Sequence, residues 1–335
     1  MIATDLEFVV PAALEARRPP EMRGVARDRV RLLASDARTG ELRHHTFAEL
    51  PGLLRRGDLL VVNDSATLPA ALDVRRPDGS PIALHFSARI ANSLYVVEPR
   101  GPRVTGDVLS LPAGGRVTLL TAADRESDRL WYARVELPEP YVEYLYRHGR
   151  PIRYAYVDET FPIAAYQTIF ARLPGSAEMP SAGRPFTART CGELRAAGVG
   201  IARLTLHTGV SSAEAHEPPQ AEPYSVPRET ADLVNATRDA GGRVIAIGTT
   251  VVRALESSVS GGSVVASNGW TDLIVTKDRG VRAVDGILTG FHEPRASHLQ
   301  MLQAFAERDA LEAAYREALE GGYLWHEFGD VHLIL

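Results

Sequence analysis

The sequence predicts an α/β fold: an α/β domain with a mostly parallel sheet, interrupted by an inserted small β-barrel domain. Three observations carry that prediction. From about Thr160 onward, short apolar runs alternate with helical stretches, the pattern of layered strand and helix units. Between about Leu68 and Tyr141 the texture changes to closely spaced short β-like runs parted by turn clusters, which suits a small barrel or sandwich. Ahead of that segment, Gly57 to Asp64 reads GDLLVVND, an apolar run of the kind buried on both faces of a sheet. If this strand joins the C-terminal sheet, the β-rich segment is an insertion. The α/β domain is then residues 1–66 and 158–335, and the barrel residues 67–157.

The elements follow in order. PIALHFSARI, SLYVVEPR, GRVTLLTAAD and RLWYARVEL are barrel strands, separated by clusters such as RPDGS and LPAGG. TCGELRAAGVGIARLTLHTG reads as helix, glycine stop and strand. PRETADLVNATRDAGGRVIAIGTT repeats that order, with Pro227 near the helix start and Gly241 at its end. Within GGRVIAIGTTVVRALESS, Arg243 to Ile247 is a buried strand and a helix begins at Thr249 and Thr250. A threonine there can cap the free N–H groups of the first turn. Those groups and the helix dipole favour an anionic ligand group, although an ordinary strand-to-helix connection has the same appearance. No internal repeat or long low-complexity tract occurs.

Composition excludes several classes. With 335 residues, 45% of them apolar, the chain can bury a large core in about two domains. A net charge of −5 argues against coating nucleic acid by bulk electrostatics. Arginines 17, 18, 23, 27, 29 and 31 cluster near the N-terminus, but Glu15, Glu21 and Asp28 interrupt them, as on a solvated face. No run approaches the roughly 18 apolar residues of a membrane span. The start, MIATDLEFVVPAALEARRPP, lacks the basic region and cleavage site of a secretory signal, so a cytoplasmic location without membrane attachment is expected. Cys191 is the only cysteine; it rules out an intrachain disulfide and a CxxC zinc site, and reads as a buried residue. No metal is expected: HExxH is absent, and His44 and His45 point to opposite faces if extended. No GxSxG elbow marks a serine hydrolase.

Candidate chemistry lies at strand ends, where open α/β sheets hold their ligands. TLHTG puts His207 at the end of one strand, VVND puts Asn63 and Asp64 at the end of another, and VDGILTGFHEP carries Asp285 and His292. His207 and Asp285 are expected in one pocket at the carboxyl edge of the sheet. Each of these residues is also of a type that serves as a structural hydrogen-bonding group.

Over nearly its whole length the chain resembles the S-adenosylmethionine:tRNA ribosyltransferase-isomerases of the queuosine pathway. The matching stretches are RTGELRHHTFAELPGLLRRGDLLVVND, RHGRPI, YQTIFARLPGSAEMPSAGRPFT, TLHTG, GGRVIAIGTTVVRALES, GWTDLIV, VDGILTGFHEP and AYREALEGGYLWHEFGD. The resemblance implies an α/β domain with an inserted barrel. It also implies S-adenosylmethionine as ribosyl donor, with no metal. The acceptor it implies is the aminomethyl group of a 7-deazaguanine at the tRNA wobble position. Adenine and methionine leave, and an epoxycyclopentanediol, that of epoxyqueuosine, forms. Such a site needs a base for the carbon beside the sulfonium, a donor for adenine and dipoles for the methionine carboxylate. The resemblance assigns His207, Asp285 and His292 to catalysis. Gly248, Thr249, Thr250, Arg253 and Asp272 fall to the donor, and Asn63, Asp64, Tyr166 and Gln167 to the acceptor.

The chain also departs from the family. Where the family reads P-T-A-G-L-H-F-T, residues 180–187 read PSAGRPFT, with Pro185 in place of the histidine. N-D-T-R-V-I-P-A-R has become NDSATLPAA, with Ala66 and Ala71 replacing arginines. EPPQAEPY lacks the family's paired histidines and keeps Glu222 and Tyr224, and N-F-H has become Gly290, Phe291 and His292. Two readings follow. One is a working enzyme on tRNA or a smaller amine, supported by the retained His207, Asp272, Asp285, Arg253 and Gly248 turn. The other is a protein that binds S-adenosylmethionine and has lost turnover. Any tRNA binding is expected to rest on the N-terminal arginines, with a dissociation constant on the order of micromolar or weaker. A monomer is expected.

Overall fold

A computed structural model describes residues 6–124, 127–210, 220–294 and 296–335. The strands β1 (Arg31–Ser35) and β2 (Leu42–Thr46) form a hairpin, followed by α1 (Leu50–Leu53), β3 (Leu59–Asn63) and β4 (Ser65–Thr67). The turn before α1 is a reciprocal capping box between Thr46 and Glu49. Six strands come next: β5 (Ala71–Arg75), β6 (Pro81–Arg89), β7 (Leu94–Pro99), β8 (Val108–Ser110), β9 (Arg116–Ala122) and β10 (Trp131–Glu136). After α2 (Tyr141–His148) and β11 (Leu173–Ser176), the chain runs through α3 (Ala188–Ala196), β12 (Gly200–Leu206), β13 (Glu222–Val226), α4 (Arg228–Asp239), β14 (Val244–Ile247) and α5 (Thr249–Ser257). A short hairpin of β15 (Val259–Ser260) and β16 (Ser263–Val264) precedes β17 (Ser267–Thr271) and β18 (Gly286–Gly290). The last elements are α6 (Ser297–Leu302), α7 (Arg308–Glu320) and β19 (Val331–Ile334).

The main sheet has the order β17-β13-β12-β3-β14-β18-β19-β1-β2. Its centre, β12-β3-β14-β18, is parallel, and its flanks include antiparallel pairs such as β12 with β13 and β1 with β2. The sheet thus has a parallel centre with antiparallel flanks. The reason lies in the side chains. LLVVN of β3 and VIAI of β14 are buried throughout, as strands covered on both faces must be. The outer strands LRHHT and SNGWT are largely exposed or half-buried and tolerate an edge. Separate apolar cores cover the sheet's two faces. Cys191 is free and buried in α3.

The β-rich segment closes into a barrel in the order β10-β7-β6-β5-β8-β9. Its core includes Leu84, Phe86, Val97, Leu119 and Ala133, and α2 adds the fully buried Tyr144 and Leu145. Burying side chains of that size contributes about 1.5–3 kcal/mol each. Entry and exit are stapled together, since β4 pairs with β11, Ser65 lying opposite Leu173 and Thr67 opposite Ser176. The Gln167 side chain completes the staple, its Oε1 accepting from the Thr67 N–H at 3.0 Å and its Nε2 donating to the Thr67 carbonyl at 2.8 Å. No helix among the described residues is long and apolar enough to cross a membrane.

Candidate active site

The parallel central strands present one carboxyl edge, from which Asn63 to Ser65, His207 to Gly209 and Gly248 to Thr250 project. Ser176, at the end of β11, lies across this edge. Its Oγ is 2.6 Å from Ser65 Oγ, which lies 2.7 Å from His207 Nδ1. Ser176 Oγ also accepts the Thr208 N–H at 3.0 Å. Gly175 makes the arrangement fit, because a Cβ added there would lie 2.6 Å from the imidazole Cγ of His207. Burial lowers the His207 pKa, and Asp64 pulls in the opposite direction. The imidazole is thus held neutral, the form that accepts a proton. Asp64 is itself engaged by Arg172 at 2.9 Å and by Thr205 Oγ1 at 2.6 Å.

Asn63 joins three elements. Its Oδ1 accepts from the N–H groups of Ser65 and Leu206, and its Nδ2 donates to the Leu206 carbonyl and to Thr250 Oγ1 at 3.2 Å. Its amide is therefore occupied in positioning the edge. At the start of α5 the N-cap is Gly248, with φ 95°, and no side chain caps the helix. The threonine cap expected from the sequence is replaced: Thr249 and Thr250 are the first two helical residues. Glycine suits position 248 because its backbone is left-handed and a Cβ there would press on Ala182 at 3.3 Å. The Ser181–Gly183 turn thus sits directly against the Gly248 turn.

Several expected ligand groups are engaged elsewhere. Arg253 is buried. It pairs with Glu222 and donates to the carbonyls of Gln220, Thr271 and Leu273. It is a positioning residue, because Glu222 Oε1 in turn accepts the Gly209 N–H at 2.8 Å beside His207. Asp285 is not in the His207 pocket. It precedes β18, and its Oδ2 accepts the Val244 N–H at 2.8 Å, at the amino end of β14. Val244 pairs with Leu59, and Leu59 with Gly200, seven residues before His207. At about 3.3 Å per residue that is a separation of roughly 20 Å.

Of the remaining candidates, Asp272 is exposed beside Thr271. His292 bonds Thr289 Oγ1 at 2.8 Å and stacks on His298 at 5.0 Å; burial, then the neighbouring histidines, hold its pKa well below the usual value. Tyr166 is buried against Phe328, and Gln167 has both its amide groups on Thr67. Among the described residues no acidic, histidine or cysteine group forms a metal site. Residues 211–219, which include the first part of EPPQAEPY, lie outside the described residues.

Groups that sequence reasoning missed lie next to this edge. Tyr154 and Tyr156 stack at 5.6 Å, and Tyr156 stacks on His326 at 3.9 Å. The Tyr154 hydroxyl donates to Glu178, and that of Tyr156 to Glu327 Oε2 at 3.3 Å. Burial, then the charge of Glu178, push the Glu327 pKa up to about 8. His326 and Glu327 line a small crevice of about 10 Å³, room for about one water, together with Ser181, Pro185 and Gly290. The available signal was the Tyr-x-Tyr spacing, which puts two rings on one face of an extended segment. The replaced arginine positions point inward, Ala66 and Ala71 being 7% and 0% exposed.

The sequence matches a family described as queuosine biosynthesis protein over residues 3–334. A Thermus thermophilus protein named S-adenosylmethionine:tRNA ribosyltransferase-isomerase is 36% identical, the match covering 95% of this chain and 97% of that one. A Rubrobacter xylanophilus protein of the same name is 34% identical over 100% of this chain and 98% of its own. The fold is similar to the crystal structure of S-adenosylmethionine tRNA ribosyltransferase from Thermotoga maritima. The TM-score is 0.58 at 28% identity, covering 99% of this chain and 100% of that one.

Proposed function

The chain belongs to the queuosine biosynthesis protein family, and on that premise we propose that it is an S-adenosylmethionine:tRNA ribosyltransferase-isomerase. The donor is S-adenosylmethionine and the acceptor the aminomethyl group of a 7-deazaguanine in tRNA. The product is the epoxycyclopentanediol of epoxyqueuosine, with adenine and methionine released. The observation that carries this reading is the His207–Ser65–Ser176 chain beside the Gly248 turn.

The chemistry assigns the roles. The positive sulfur acidifies the adjacent carbon, and a neutral imidazole at His207 takes that proton: the C–H bond breaks, an N–H bond forms and the electron pair remains on carbon. Ser65 and Ser176 fix the ring's orientation. The amino end of α5 offers its N–H groups and dipole to the methionine carboxylate. The acceptor amine bonds to the sugar and gives up a proton, and adenine leaves with the glycosidic electron pair and takes up a proton. The electron pair on the deprotonated carbon closes the carbon ring, and methionine leaves with the sulfur lone pair as the epoxide forms.

Mass spectrometry of a deazaguanine-bearing anticodon stem-loop, incubated with the protein and S-adenosylmethionine, tests the reading. A mass gain equal to the cyclopentane adduct is expected. An unchanged stem-loop at stoichiometric protein overturns it.

A further inference from the structure

The loop that follows the proposed base is held by side chains from three different strands. Its successive N–H groups donate in turn: Thr208 to Ser176 Oγ of β11 at 3.0 Å, Gly209 to Glu222 Oε1 of β13 at 2.8 Å and Val210 to Ser87 Oγ of β6 at 2.9 Å. The Thr208 carbonyl accepts the Ala177 N–H at 2.7 Å, and the His207 N–H donates to the Pro223 carbonyl at 3.0 Å. A buried backbone donor needs its partner, so each of these side chains constrains the loop.

Ser87 is the member supplied by the barrel. The pairing of β6 with β7 shifts register there, Phe86 lying opposite Val97 and Ala88 opposite Val96, so Ser87 is the extra residue of a bulge. Such a residue interrupts the ladder and re-aims a side chain. Ser87 is buried, and Val210 belongs to the same apolar core as Phe86 and Leu84 of the barrel. Gly209 fits between them: a Cβ there would be 2.7 Å from Ser87 Oγ, whereas the next atoms, the Ser87 carbonyl oxygen and Glu222 Oε1, are at 3.8 and 3.9 Å. Only the hydroxyl obstructs a side chain at 209. Glu222 is paired in turn with the buried Arg253 of α5. The loop after His207 thus ties the barrel to the helix whose amino end faces the donor.

We infer that Ser87 is a positioning residue of the reaction, through which the barrel fixes the place of His207, an inference that rests on the function proposed above. Ser87 acts through Val210 and Gly209, and the imidazole of His207 takes the proton. Loss of the hydroxyl leaves the buried Val210 N–H without its acceptor and releases the loop. Proton transfer is sensitive to such a shift, a misplacement of about 1 Å being enough to lower a rate by about 10²-fold.

Single-turnover adenine release and the dissociation constant for S-adenosylmethionine, measured on the full chain, test this. Ser87→Ala and Gly209→Ala are each expected to lower the rate at least tenfold while the dissociation constant stays within twofold. In the double variant the obstructing hydroxyl is gone, so the rate equals that of Ser87→Ala alone instead of falling further. Tyr144→Phe removes a different barrel bond, from α2 to the Pro112 carbonyl at 2.8 Å, and should lower the melting temperature with the rate within twofold. Near-ultraviolet circular dichroism establishes that each variant is folded. Rates within twofold of the unaltered protein for both single variants, losses that multiply in the double variant, or an equal loss with Tyr144→Phe overturn the inference alone. Absence of adenine from the unaltered protein overturns it together with the proposed function.

Discussion

Gly175 lies where a side chain would collide with His207: a Cβ at 175 would sit 2.6 Å from the imidazole Cγ. The contact couples β11, the strand on which the chain returns from the barrel, to the proposed base at the end of β12. Replacing Gly175 by alanine therefore displaces the ring and breaks its 2.7 Å bond to Ser65. Overpacking of this kind costs about 1–3 kcal/mol. The expected result is a fall of at least tenfold in adenine release with a modest drop in melting temperature. Unchanged turnover would mean that the ring's placement does not matter.

Buried neutral histidines set the acid limit of stability. Burial, then Arg253, lowers His298 to about 4, and burial lowers His332 to about 3, against an ordinary value of 6.5. The unfolded chain therefore binds protons first as pH falls. Stability is full above about pH 6.5 and declines below it, by about 1.4 kcal/mol per pH unit for each such group. Denaturant titrations from pH 7 to 4 check the slope. His332→Phe, which also removes the bond to Ser35 at 2.8 Å, should flatten it. A stability that does not vary over that range would refute the assignment.

Arg253 and Glu222 form a buried ion pair, and burial raises the Glu222 pKa while Arg253 opposes the rise. Arg253→Met leaves that carboxylate uncompensated and should cost about 3–5 kcal/mol. Combining it with Glu222→Leu should restore most of the loss, with non-additivity measured by a double-mutant cycle in urea. A small single-variant cost, with S-adenosylmethionine binding lost instead, would return Arg253 to the ligand site.

How much of this was legible in the sequence depended on whether a feature was local. The strands LLVVN and VIAI announced themselves because central strands are apolar at every position. β5 and β8 went unread, since β5 is short with exposed Asp73 and Arg75 and β8 spans three residues. Asp285 was assigned to the wrong edge because the start of the strand within VDGILTG was not read; Asp285 precedes β18, which runs parallel to β14, and so lies at the amino end beside Val244. Arg253 lies one turn into α5, but its partners Glu222 and Thr271 come from distant segments. Glu178 and Glu327 meet only in the folded chain.

Binding to tRNA should be weak and dependent on salt. Arg17 and Arg18 are half-exposed but pair with Asp158, and Arg23, Arg27 and Arg31 donate to backbone carbonyls. A dissociation constant on the order of micromolar at physiological salt is expected for an anticodon stem-loop. Arg18→Ala should reduce the slope of log affinity against log salt by about 1 if that residue meets a phosphate. An unaltered slope would put the contact elsewhere.

The central claim is that His207 is the base of a ribosyl transfer from S-adenosylmethionine to a deazaguanine in tRNA. Single-turnover release of adenine, with saturating S-adenosylmethionine and a stem-loop carrying the 7-aminomethyl-7-deazaguanine base, tests it most directly. The account predicts close to one adenine per protein molecule. It also predicts a rate that His207→Ala lowers by about 10²–10⁴-fold and that falls as pH drops through the lowered His207 pKa. Absence of adenine from the unaltered protein, or release at the same rate from the His207→Ala variant, would contradict it.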